Sequence, residues 1–288
     1  MPEPGQAAPA TLAALALAKE GRVIDLSSGW WRRMPGAAPH PQLEVVTYRT
    51  PRGQRIGGDI EMLRPEANEA RVGFMSELVI GTTHSGTHID AHCHIACGER
   101  DAWHGGYSAD EWLGDFGALR DDASTLDPII ARGVLLDAAA LHGVDALPAG
   151  HPIDAAQLQA CARRQGVEVR AGDVVLTRTG LMRHWPDESA MDACFGSGVT
   201  LEGARWLSER QVRAVGADNV AFEADPSGVP GNPLPVHVHL LRDHGIPIME
   251  WVLLEELAAV ADRPFLFIAL PLTIEGASGS MIRPLAIV

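Results

Sequence analysis

Residues 83–95 read Thr-His-Ser-Gly-Thr-His-Ile-Asp-Ala-His-Cys-His-Ile, and this short stretch holds four of the chain's 12 histidines. His84, His88 and Asp90 offer two imidazoles and one carboxylate, a mixture that suits Zn²⁺, Mn²⁺ or Fe²⁺. Three protein ligands leave coordination positions free for water and substrate, the mark of a catalytic rather than a structural site. Gly86 lets the backbone turn tightly between the two histidines. Thr87 is placed to hydrogen-bond locally and hold a ligand still. His88 and Asp90 are two residues apart, so in an extended segment they share a face. His94 follows four residues after Asp90 and comes to the same side if the chain turns helical there. An imidazole at the edge of a metal site is suited to moving protons near neutral pH.

On the amino-terminal side, Arg22 to Leu26 and Val45 to Arg49 read as strands, with Trp30, Trp31 and Met34-Pro35 in the loop between them. On the carboxyl-terminal side, Asp154 to Arg164 is a helix, capped by Asp154 and stopped by Gly166. Asp173 to Thr179 is a strand, Thr200 to Gln211 a helix capped by Thr200, and Val212 to Ala217 the next strand. Leu240 to His244 and Leu253 to Val260 read as helical, Ile246 to Met249 and Phe265 to Pro271 as strands. Gly276 to Ser280 is a turn before a last strand, Met281 to Val288. Strands and helices mix without strict alternation, which predicts an α/β fold with mixed sheets and flanking helices. Thr11 to Lys19 reads as a short helix stopped by Gly21. Residues 1–21 are therefore expected as an N-terminal extension and 22–288 as a single domain.

A second histidine cluster lies at His237, His239 and His244. His237 with Glu250 is the pair expected to complete a second metal site or hold substrate, and His244 is expected to face solvent. Trp30, Trp31 and Phe74 are candidate walls of a substrate pocket, because aromatic faces stack on flat rings. Asp218-Asn219 sit just past a strand end, where pockets form.

The formal net charge of -14 opposes binding to nucleic acid or anionic lipid and favours a small neutral, aromatic substrate. No apolar run reaches the roughly 20 residues of a membrane span. The start of the chain lacks the basic residues of a signal peptide. Four cysteines (Cys93, Cys97, Cys161 and Cys194) are too few for a disulfide framework in 288 residues. They are expected reduced and small-residue-like, in a cytoplasmic protein.

The segment His84 to His94 resembles the H-x-G-T-H-x-D-x-x-x-H signature of the cyclase family, which includes bacterial kynurenine formamidases, isatin hydrolases and metal-dependent lactone hydrolases. Further likenesses are Arg22 to Ser27 with Met34-Pro35, Gly172 to Gly180, Pro235 to Glu250, and Pro271 to Ser280 with Arg283-Pro284. The resemblance implies a swivelling β/β/α fold and a homodimer or homotetramer. It implies that His84, His88 and Asp90 bind the catalytic metal and that His94 donates and accepts the proton. In formamidase-like members the aspartate also bridges to a second metal, which would fall to His237 and Glu250. Two departures matter: His92 stands where formamidases carry proline, and neither His237 nor His239 has the formamidase spacing to Glu250. They point to the isatin-hydrolase-like branch with one Mn²⁺, Zn²⁺ being the alternative.

The expected function is hydrolysis of a cyclic, isatin-like amide by metal-activated water, with His94 as proton shuttle. Within the family the alternatives are an arylformamidase acting on N-formylkynurenine and a lactone hydrolase. Outside it stand a non-haem Fe²⁺ oxygenase, which uses the same ligand types, and a non-catalytic metal-binding scaffold.

Overall fold

Short apolar strands carry the middle of the molecule. The computed structural model describes residues 9–260 and 263–288. Nine strands form one mixed sheet. In chain order they are β1 (Val23–Asp25), β2 (His88–Asp90), β3 (Ile129–Asp137), β4 (Val174–Arg178), β5 (Ala214–Ala217), β6 (Ile248–Glu250), β7 (Phe265–Ala269), β8 (Gly279–Met281) and β9 (Leu285–Ile287). Their order across the sheet is β1-β9-β7-β3-β4-β5-β6-β2-β8. The central four, β3 to β6, run parallel, and the outer strands pair antiparallel. Every residue of β4 and β5 is buried, as befits parallel strands covered on both faces.

The two faces separate by strand parity. Val134, Leu136, Val175, Val215 and Ile248 pack into one core with the helices Ala155–Arg164 and Leu201–Glu209. Leu135, Val174, Leu176, Ala214 and Met249 enter a second core with Ile89, Phe265 and Phe267. Both helices start where their caps predict. Asp154 accepts the backbone N–H of Gln157 at 2.8 Å, and Thr200 accepts that of Gly203 at 3.4 Å.

Some elements differ from their sequence expectation. The first helix is Pro9–Leu15 rather than residues 11–19, and it lies against β3 and β7 with Ala14 buried. Residues 1–8 of the expected extension fall outside the described residues. The expected last strand is divided: Met281 ends β8, which takes Gly279 and Ser280 from the expected turn, and Leu285–Ile287 forms β9 at another place in the sheet. Pro284 lies between them and has no N–H to give a ladder. The segment Leu253 to Val260 keeps only one helical turn, Glu255–Ala258.

The strand expected at Val45 to Arg49 is present as Glu44–Arg49 but belongs to a separate hairpin with Ser76–Ile80. Val46, Tyr48, Val79 and Ile80 are exposed on it. All four cysteines are free. Among the described residues no helix is long and apolar enough to cross a membrane.

Candidate metal centre

β2 runs antiparallel to β6 with His88 opposite Glu250 and Ile89 opposite Met249. A period of two therefore puts His88, Asp90 and Glu250 on one face, while Ile89 and Met249 enter the core behind. The face lies at the carboxyl end of the parallel strands, the usual place for a site in an open α/β sheet.

The turn into β2 needs its glycine. Gly86 has φ +56°, and a Cβ there would stand 2.6 Å from Ser28 Oγ and 2.7 Å from Met34 Cε. Thr87 then ties three segments together. Its N–H donates to Ser28 Oγ at 2.8 Å, its hydroxyl oxygen accepts the Ser28 N–H at 2.7 Å, and the hydroxyl donates to the Trp251 carbonyl at 2.6 Å.

Five side chains converge. His84 Nδ1 lies 2.9 Å from Asp90 Oδ1; His88 Nε2 lies 3.5 Å from Asp90 Oδ1 and 3.4 Å from Glu250 Oε2. His237 Nε2 lies 3.2 Å from Glu250 Oε1 and 3.8 Å from Asp90 Oδ2. His84, His88 and Asp90 form one group within coordinating distance, and Asp90, His237 and Glu250 a second, so Asp90 is shared.

The outer ring nitrogens decide what this means. His88 Nδ1 is 2.8 Å from the Gly86 carbonyl, which only accepts, so the proton sits on Nδ1. His237 Nδ1 likewise meets the Glu223 carboxylate. In the neutral rings both Nε2 lone pairs then aim at carboxylate oxygens. His84 Nε2 is engaged by Ser278 Oγ at 3.0 Å, and its Nδ1 and both Asp90 oxygens are buried with no hydrogen-bond partner. Lone pairs facing buried carboxylates are tolerable only with cations between them. Imidazole nitrogens and carboxylate oxygens suit a divalent metal such as Mn²⁺ or Zn²⁺.

Protons are the other cation available. Burial opposes a charge on His88 and His237, but the carboxylates around them win and push both up to about 10. For His88 these are Asp90 and Glu250; for His237, Glu223 and Glu250. Burial raises Asp90, yet the surrounding histidines hold it well below its usual value. At pH 7 the metal-free rings thus carry protons that a metal must displace. Apparent metal affinity is expected to rise with pH through neutrality, roughly tenfold per unit for each proton released. Chelator competition at pH 6, 7 and 8 checks this; an affinity independent of pH would contradict it.

His94 stands apart from the ligand groups. It follows a turn, not a helix, and its ring centroid is 4.2 Å from that of His84 and 6.3 Å from that of His237. Burial pushes it down to about 4, so it is a neutral imidazole at neutral pH. It lines a cavity of about 560 Å³ together with His84, His88, His237 and Glu250. The remaining wall is mostly apolar, from the loop 35–39, Leu181, Met191, Phe195, Val220 and Trp251. No Lys or Arg lines it among the described residues.

Trp30, Trp31 and Phe74, expected as pocket walls, are not among the lining residues. The Trp30 indole donates to the Ser85 carbonyl at 2.8 Å and so buttresses the histidine loop. Trp31 is half exposed, edge-on to Trp185. Phe74 sits beside the outlying hairpin, its backbone held by the Gln54 side chain. Asp218 accepts from Thr179 and Gly180 and also stays out of the cavity, whereas its neighbours Val220 and Ala221 line it.

His239 turns away to Ser208 Oγ at 2.8 Å, leaving His237 as the inward histidine, and His244 is exposed as expected. His92 also turns away, to the Gly245 carbonyl. Sequence reasoning missed His40, whose ring stacks on His84 at 5.2 Å, and Ser278 and Glu223, which meet ring nitrogens from far along the chain. A lone histidine between prolines and isolated polar residues carry no local signal.

The isatin hydrolase of Roseibium aggregatum is 26% identical over 216 residues, 73% of each chain. A crystal structure described as a novel cyclase matches with a TM-score of 0.83 and 28% identity, over 98% of this chain and 92% of the other. An isatin hydrolase bound to the product analogue thioisatinate matches with a TM-score of 0.67 over 98% of this chain and 99% of that one; at 22% identity this speaks for the fold alone. The mixed α/β architecture is thus the one that cyclase-family structures share. The Cyclase family model matches residues 24–224, from the first strand past the histidine loop to the strand ends around the cavity: the chain belongs to the Cyclase family.

Proposed function

We propose that the protein is a metal-dependent hydrolase that opens the amide bond of a small, neutral, isatin-like cyclic amide. The observation that carries this is the pairing of five converging metal-ligand side chains with an unliganded, neutral His94 on the wall of one apolar cavity. The likeness to an isatin hydrolase supports the substrate class.

A divalent cation held by His84, His88 and Asp90, Mn²⁺ being the first choice and Zn²⁺ the second, supplies Lewis acidity and acidifies water. His94 takes one proton of the attacking water and passes it to the leaving nitrogen, and the new carboxyl group releases the second to solvent, so the opened product carries a carboxylate and a free amine. The walls from Trp251, Phe195 and the loop 35–39 hold a flat ring and keep bulk water away.

His237 and Glu250 reach Asp90 despite their unusual spacing, because His237 sits in the opening turn of a helix, Pro235–His237, that runs on as the π-helical Val238–Asp243. A second metal therefore has ligands, which favours an N-formylkynurenine hydrolase as the second reading. That substrate carries a carboxylate, however, and among the described residues no Lys or Arg lines the cavity to receive it. The exposed apolar hairpin supports self-association into a homodimer or homotetramer, and the free cysteines support a cytoplasmic site of action.

The test is to strip the purified protein of metal, reload it with Mn²⁺ or Zn²⁺, and assay isatin, N-formylkynurenine and an unsaturated lactone. Ring opening of isatin that depends on metal is the expected result. Turnover of none of the three by the loaded protein, or unchanged turnover after stripping, would overturn the reading.

A further inference from the structure

We infer that Glu223 is a positioning residue of the metal centre, holding the His237 imidazole so that its Nε2 faces Asp90 and Glu250. The inference rests on the reading above that Asp90, His237 and Glu250 can hold a second divalent cation beside the one on His84, His88 and Asp90. Glu223 is only 3% exposed, and among the described residues no Lys or Arg pairs with it. Its carboxylate instead accepts the backbone N–H groups of Val236 at 3.3 Å and His237 at 3.1 Å, and meets His237 Nδ1. One side chain thus fixes both the start of the helix that carries His237 and the tautomer of its ring. A carboxylate on the outer nitrogen of a ligating imidazole sets the ring's orientation and raises its basicity toward metal. His239, two residues on, lacks such a partner and faces Ser208.

The backbone around Glu223 is held in a costly form. Phe222, immediately before it, has φ +52°, and Trp251, immediately after Glu250, has φ +56°. Bulky aromatic residues rarely adopt this region, because the side chain crowds the backbone there. Asn219 braces both. Its side-chain amide donates to the Phe222 carbonyl at 3.1 Å and the Ser197 carbonyl at 2.7 Å, and its backbone carbonyl accepts the Trp251 N–H at 3.1 Å. The strained loop aims Glu223 at the outer nitrogen of His237, and its counterpart aims Glu250 at the inner one.

The experiment is a double-mutant cycle read by Mn²⁺ affinity, without turnover. Glu223→Ala is compared with the parent, and Glu223→Ala/His237→Ala with His237→Ala. Glu223→Met, similar in length but unable to accept, replaces the alanine variant if that fails to fold. Removing Glu223 is expected to weaken Mn²⁺ binding about 10–100-fold in the parent and to change nothing once His237 is gone. Glu223→Gln, which keeps a carbonyl for the Nδ1 proton, is expected to restore most of the affinity. Unchanged affinity in the parent, or an equal loss in both backgrounds, overturns the inference. A parent protein that binds no divalent cation sinks the hydrolase reading itself, a different outcome from tight parental binding that ignores Glu223.

Discussion

Asp90→Asn is expected to abolish metal retention and to lower hydrolysis by roughly 10⁴-fold or more, since several kcal/mol of charge stabilisation depend on the bound cation. Asp90 is the one side chain common to both ligand groups. Its Oδ1 faces His84 and His88 and its Oδ2 faces His237. Asparagine keeps the shape but replaces an anionic oxygen by an N–H donor pointed at nitrogen lone pairs. The backbone pairing of Asp90 with Gly279 does not involve the side chain, so the fold is expected to persist. Elemental analysis and circular dichroism of the same preparation separate the two effects. A folded Asp90→Asn protein that kept its metal and turned over within tenfold of the parent would remove Asp90 from the centre.

His94→Ala is expected to lower kcat about 10²–10⁴-fold while metal content stays unchanged. His94 belongs to neither ligand group, yet its ring lies against that of His84 and lines the cavity. Burial disfavours its cationic form and pushes it down to about 4, so it stands ready as a base across the neutral range. The sign follows: protonation of His94 would cut activity only as pH falls toward 4, well below the usual 6.5 of an imidazole. Parallel loss of metal and activity in His94→Ala would make it a ligand instead of a proton carrier.

The shared face of His88 and Asp90 and the starts of the two capped helices follow from local physics. A histidine and an aspartate two apart in an extended segment must share a face, and Asp154 and Thr200 satisfy helix N–H groups wherever the helix packs. β3, nine residues long, gives only a broken sequence signal, because Arg132-Gly133 interrupts its apolar run. Arg132 finds its partner in Asp173, which lies beside it only in the folded sheet. Trp30 departs from its expected place on the pocket wall for a related reason. An exposed-looking indole in a loop suggests a stacking surface, but its N–H bonds a carbonyl that folding brings to it.

Local residue types and spacings suffice for the chemistry of one short segment, His84, His88, Asp90 and His94, on a chain rich enough in short apolar runs to build a mixed α/β sheet. Which distant groups complete the centre follows from contacts made on folding. His237 rather than His239 faces inward because a helix turned by Glu223 presents it there, and Glu250 meets His88 because β6 pairs with β2 in that register. Spacing along a strand is a local property, whereas register, tautomer and ring orientation come from contacts across the chain, which no local pattern encodes.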